Sequence, residues 1–386
     1  MRTRFLYLAI LSLSGFVTSF GAHIVATNLP AYADTVGAGA LTIGVLIAVY
    51  DFAELFAKPA AGFLADRAGM RLVLLIGLLV FMGGSLLFLA VNPHLLVLVR
   101  FVQGLGAAAL STVSISLVAR YFERARGRAF GIYNAVKGAG YVIAPAAGGF
   151  LAHAFGFRMI FVVSAAIAAV TFALSFMLPS DDRGALDDDD DDISFGDALR
   201  VFTNRALLPL YSVIVVNMFL VGILFGFLPV YLHGIGYSTR QSGAVVSVAT
   251  AAYLVIQPAA GWLADRYDTR VTVLVGLCLA AVGIVLTTFA SGWPLIAIVV
   301  AAGIGVGTVW TNTDALVGAA AGPNRLGATI GAAQSFKEFG DMVGPLVVGL
   351  LTQMFGIRSG FVTCGVVALA LIVPLARSST LRVRPS

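Results

Sequence analysis

Apolar residues come in runs of about twenty along nearly the whole chain, separated by short polar connectors. A helical run of that length crosses a hydrocarbon layer about 30 Å thick, and lipid leaves an open chain no other way to satisfy its backbone polar groups. Twelve spans are predicted, at about 5–28, 40–61, 72–91, 95–119, 129–153, 158–178, 208–232, 241–261, 271–290, 294–318, 328–353 and 357–377. Arg2 and Arg4 precede the first span as they would a secretory signal. Its apolar stretch is too long for one and no small-residue cleavage site follows, so it is expected to stay in the mature protein. The pattern predicts an all-α membrane protein.

The pattern also repeats. Residues 59–67, Pro-Ala-Ala-Gly-Phe-Leu-Ala-Asp-Arg, return as 258–266 with Trp262 in place of Phe63, an offset of 199. Gly131, Lys137, Gly140, Pro145, Gly149, Phe155, Gly156 and Arg158 return 200 residues later as Gly331, Lys337, Gly340, Pro345, Gly349, Phe355, Gly356 and Arg358. Two six-helix bundles related by duplication follow, at 1–178 and 207–377, with an acidic linker at 179–206 and a tail at 378–386. Six is an even number, so both halves enter the membrane in one orientation. They are parallel repeats, with a shared site expected near midplane.

Charge fixes the expected topology. Only 11% of residues are charged and 59% are apolar, which excludes an ordinary soluble domain, and the net +5 resides in the connectors. With the N-terminus placed inside, seventeen of the 24 Lys and Arg fall in inner segments, three in outer ones and four within spans. Both termini are therefore expected in the cytoplasm, and nucleic acid is not an expected partner. Cys278 and Cys364 lie in separate apolar runs and suggest neither a disulfide nor a metal site. Asp187 through Asp192 form an unbroken acidic row in the linker, read as a solvated tether; it lacks the spaced oxygens and turn glycine of a calcium loop.

Ionisable residues inside spans cost about 2.5–3.5 kcal/mol each on insertion scales, so each is a functional candidate. Spans 3, 6, 9 and 12 have none in their interiors. Spans 1, 2, 4, 5, 10 and 11 hold His23, Asp51, Glu54, Lys58, Arg100, Lys137, Asp314, Lys337, Glu338 and Asp341. The chain has three lysines against 21 arginines, and all three lie within spans. An ammonium can release its proton when desolvated, whereas a guanidinium effectively cannot. Lys137 and Lys337, repeat-equivalent and central, are therefore candidates for substrate contact or coupling. Asp51 with Glu54, and Glu338 with Asp341, are paired i,i+3 on one helix face, a spacing at which two carboxyls can share a proton. These four are the proton-carrier candidates. Glu54 with Lys58, and Lys337 with Asp341, are spaced i,i+4 and can pair locally. His23 and Asp314 rank below them, as a packing residue and a vestibule residue. Phe20, Tyr50, Trp310 and Phe336 are aromatic candidates for an apolar binding surface.

At this point the residues resemble a known family. Gly62-Phe63-Leu64-Ala65-Asp66-Arg67-Ala68-Gly69-Met70-Arg71, after span 2, is similar to the signature loop of the major facilitator superfamily, and its repeat carries Asp268 where the first half has Gly69. Arg100-Phe101-Val102-Gln103-Gly104 resembles that superfamily's second motif. Gly131, Gly140, Pro145, Gly148 and Gly149 resemble the proline-glycine motif of its drug:proton antiporter branch, with Ala144 where glycine is usual. The resemblance implies a gating role for Gly62, Asp66, Arg67, Arg71 and the duplicates Asp265 and Arg266, with Asp66 latching the halves on the cytoplasmic face. It implies that Arg100 modulates the carboxylates, that Pro145 and Pro345 bend helices at a rocking interface, and that the protein works as a monomer.

The expected function is proton-coupled export of a small organic molecule or drug across the plasma membrane by alternating access. A symporter or facilitator for a small anionic or polar metabolite, and a non-transporting sensor on the same scaffold, are the alternatives. There is no Gly-x-x-x-x-Gly-Lys-Ser/Thr phosphate loop to bind ATP, no metal cluster and no nucleophile-base pair, so neither a cofactor nor an enzymatic activity is expected.

Overall fold

The structure, a computed structural model, describes residues 2–35, 39–90, 95–122, 126–179, 204, 207–320 and 326–377. The described residues form twelve long helices and no strand: α1 (Arg2–Thr35), α2 (Ala40–Ala68), α3 (Met70–Leu87), α4 (Leu96–Tyr121), α5 (Arg126–Phe155), α6 (Arg158–Ser175), α7 (Leu208–Gly234), α8 (Thr239–Arg266), α9 (Thr269–Thr287), α10 (Gly292–Ala320), α11 (Leu326–Phe355) and α12 (Ile357–Arg377). Eleven are long and apolar enough to cross a membrane. The twelfth, α11, misses that measure because Lys337, Glu338 and Asp341 crowd its centre. The linker with Asp187 through Asp192, and the tail 378–386, lie outside the described residues.

Three of the spans with uncharged interiors are short, 18 residues in α3 and α6 and 19 in α9, whereas α7 and α8, equally free of interior charge, run 27 and 28. Eighteen residues rise about 27 Å, just short of a hydrocarbon layer about 30 Å thick. The charged helices α2, α5 and α11 run 29, 30 and 30 residues, several turns beyond it. One span breaks the expected uniform helix: α7 passes through a π-helical turn at Ile223–Phe227, where the first repeat has continuous α-helix.

Two compact units emerge, one of Met1–Ala38, Val45–Asp188 and Leu232–Ser247, the other of Gly39–Gly44, Asp189–Tyr231 and Val248–Ser386. Each therefore includes a helix tip contributed by the opposite sequence half. Equivalent pairs pack in both: α1 on α5 and α7 on α11, α3 on α4 and α9 on α10, α3 on α6 and α9 on α12. The seams use small residues at matching places. A side chain on Gly106 would strike the Phe81 backbone, and one on Gly305 would strike Ala280, 199 residues on in both partners. Close backbone approach of this kind is how helices associate where no hydrophobic effect drives them together.

Candidate functional site

In the first unit the polar residues converge on Arg100 of α4, which is 2% exposed. Its Nη1 donates to Gln103 Oε1 at 2.7 Å, Gln103 Nε2 donates to Ser85 Oγ at 3.0 Å, and Ser85 Oγ donates to the Phe81 carbonyl at 2.9 Å. Nη2 donates to the Ala22 carbonyl at 3.3 Å, and the guanidinium lies 4.1 Å from the centroid of the Tyr50 ring. One buried cation thus joins α1, α2, α3 and α4 through Nη1, Nη2 and its ring contact, while its Nε and the Tyr50 hydroxyl are buried without a hydrogen-bond partner among the described residues. Asp51 and Glu54 are the carboxylates whose fields reach it. Glu54 itself pairs with Lys58 at 2.5 Å, the local i,i+4 pair that their spacing allows.

Lys137 sits on α5 within the electrostatic reach of Tyr141, Tyr133, Glu54 and Lys58. Its carbonyl accepts a hydrogen bond from Ser19 Oγ at 2.7 Å, which ties α1 to α5. His23 Nδ1 lies 2.9 Å from the Ser19 carbonyl, and because a carbonyl only accepts, that nitrogen carries the proton. The His23 ring stands edge-on to Tyr141 at 4.4 Å. Phe20 stacks on Phe16 and is buried among Ile24, Val25 and Leu29, so it is a core residue here.

In the second unit Lys337 of α11 pairs across helices with Asp314 of α10 at 2.5 Å. Its Nζ also lies 4.5 Å from the centroid of the Trp310 ring, which meets Tyr253 of α8 edge-on at 5.8 Å. The two members of the pair differ in exposure: the lysine side chain is 5% accessible and the aspartate 45%. Asp314, ranked low on sequence, is therefore the residue that reasoning along the chain missed. A residue 23 positions away on another helix gives no spacing signal. Gln103 was likewise legible only as a motif letter.

Phe336 does not join this cluster. Its ring stacks on Tyr211 at 4.3 Å, and the two help to line an apolar groove of about 350 Å³ with Leu208, Ser212, Val215, Val216 and Leu371. Glu338 and Asp341 are half-buried on α11.

The sequence matches the Major Facilitator Superfamily over residues 11–251 and 210–385. The chain belongs to that superfamily. Multidrug resistance protein 2 of Bacillus subtilis is 25% identical over 353 residues, covering 88% of this chain and 87% of its own. Multidrug resistance protein MdtG of Salmonella typhi is 24% identical over 381 residues, covering 93% and 92%. Among solved structures, a bacterial homolog of the human lysosomal transporter Spinster superposes with a TM-score of 0.85 at 17% identity, covering 100% of this chain and 99% of that one. A D-xylose-proton symporter superposes with a TM-score of 0.80 at 14% identity, covering 97% of each. This superfamily member is a multi-pass membrane transporter.

The superfamily's loop motif has a concrete geometry here. Arg67 stacks over Phe63 at 4.2 Å, and Arg266 over Trp262 at 5.3 Å, so the one aromatic exchange within the nine-residue repeat keeps the contact. Gly62 and Gly261 face Thr112 and Thr311 alike. Arg71 donates to the Phe176 carbonyl at 2.7 Å, fastening the loop to the end of α6. The side chains of Asp66 and Asp265 lie outside the described part of the structure. The departure at Asp268 has a physical reason. Gly69 precedes α3 with φ of 100°, whereas Asp268 precedes α9 with extended backbone and caps it, accepting from Arg270 N at 2.8 Å.

Proposed function

We propose that this transporter is a proton-coupled exporter of small organic molecules, working by alternating access, and that its cargo is neutral or cationic rather than anionic. The observation that carries the reading is the Lys337–Asp314 pair. The ammonium is shielded beneath the Trp310 ring and paired, while the carboxylate is the accessible partner. An accessible carboxylate attracts a cation, and a shielded lysine offers an anion little. Half-buried carboxylates supply the proton side. Asp51 and Glu54 act within reach of Arg100, and Glu338 and Asp341 flank the centre of α11. Protonating one of them changes the charge balance of a low-dielectric network and so biases a two-state equilibrium. The multidrug relatives support export.

Reconstitution tests this directly. Purified protein in liposomes, given a pH gradient and a panel of cationic, neutral and anionic dyes, is expected to move cationic or neutral dye opposite to proton flow. Parallel movement of proton and solute, or preference for the anionic dyes, overturns the reading in favour of a symporter for an anionic or polar metabolite.

A further inference from the structure

Both α5 and α11 contain a proline, and beside each proline a second helix comes unusually close. A side chain on Gly243 of α8 would collide with the Pro145 carbonyl, and one on Gly44 of α2 would collide with the Pro345 carbonyl. These are the same crossing, made twice.

They differ at one hydroxyl. Pro145 has no N–H, so the helical rung to the Tyr141 carbonyl is missing from α5. The adjacent rung, from Ala146 N–H to the Val142 carbonyl, is bridged by Ser247 of α8. Ala146 N donates to Ser247 Oγ at 2.9 Å, and Ser247 Oγ donates to the Val142 carbonyl at 2.6 Å. A side chain inserted into the ladder beside a proline interrupts two consecutive rungs, a recognised cause of bending. In the repeat the position 199 residues earlier is Ala48, buried and without a hydroxyl.

We infer that Ser247 is a positioning residue of the transport cycle: a clasp that holds α8 against the broken stretch of α5 and must release when the two helices part at the end remote from the chain termini. This rests on the alternating-access reading above. The chemistry makes the clasp reversible. On release Ala146 N–H and the Val142 carbonyl can bond to each other directly, so α5 regains its rung and no buried polar group is stranded. A purely apolar contact would hold without that exchange, as the alanine at position 48 does.

Distances in the full-length protein test the clasp. With Cys278 and Cys364 replaced by alanine, spin labels at Phe155, ending α5, and His233, at the tip of α7 before α8, report the separation in lipid nanodiscs without substrate. Ser247→Ala is expected to raise the ratio of the long to the short distance about fivefold, the effect of losing roughly one net hydrogen bond. Ser247→Thr, which keeps the hydroxyl, is expected to leave the ratio within twofold. Adding Ala48→Ser to Ser247→Ala is expected to bring the ratio back toward the parent by supplying a hydroxyl at the second crossing. An unchanged ratio in Ser247→Ala, or a lower melting temperature with no change in ratio, overturns the clasp and leaves a packing role. Because no cargo is present, that failure leaves the export reading standing, and absent transport in liposomes would leave the distance result intact.

Discussion

Lys137 and Lys337 occupy the same place in the two repeats, yet they keep different company. The first feels the fields of two tyrosines, a second lysine and a glutamate already paired with that lysine. The second is bound to Asp314 and covered by Trp310. The positions 199 residues before Trp310 and Asp314 are Ser111 and Ile115, so the first half has no counterpart of that cage. Conversely, Tyr50, Asp51, Glu54, Arg100 and Gln103 correspond to Ala249, Thr250, Tyr253, Val299 and Ala302. Backbone seams survived duplication while the polar chemistry separated. The physical reason is that a close helix crossing tolerates only small residues on both sides, whereas a buried polar group needs only one satisfied partner and can be replaced together with it.

The largest expected effect tests the Lys337 side of that contrast. Asp314→Asn strands a buried ammonium and is expected to cost about 2–3 kcal/mol, the low end for a buried pair because the aspartate is partly accessible. Thermal melting in detergent measures it, and Lys337→Met in the same chain is expected to recover most of the loss. A melting temperature unchanged by Asp314→Asn would mean that the pair contributes nothing and that the two lysines are equivalent after all. Gln103→Leu tests the Arg100 side. It removes the acceptor for Nη1 and the donor to Ser85, with an expected cost of about 1–2 kcal/mol. The smallest effect sharpens the comparison of the connectors. Asp268→Ala removes a helix cap and is expected to cost about 1 kcal/mol, while Asp268→Gly costs only a few tenths. Gly69→Ala, at positive φ, is expected to cost about 1 kcal/mol for a different reason. Equal tolerance of alanine at both sites would show that the repeats do not differ there.

Much of this was legible along the chain. The apolar runs located all twelve helices, although hydropathy marks the thickness of lipid rather than the end of a helix: α1 extends to Thr35 where the run suggested about 28. The π turn in α7 carried no signal of its own. Among candidate residues, Arg100, Tyr50, Lys337 and Trp310 do meet in polar clusters, while Phe20 went to the core and Phe336 to a separate groove. An aromatic in a membrane helix looks the same in either place when only its own helix is read.

The sequence by itself determined the helices, their duplication and the set of buried charges, because each is set by local composition or by matching positions within one string. Apart from the local Glu54–Lys58 pair, the partners of these charges were decided only in three dimensions. Asp314 meets Lys337, and Ser247 reaches the gap beside Pro145, through the packing of helices far apart in the chain. Hydrogen bonds and ion pairs are read at a few ångströms between side chains, and spacing along one helix cannot report a distance set by another.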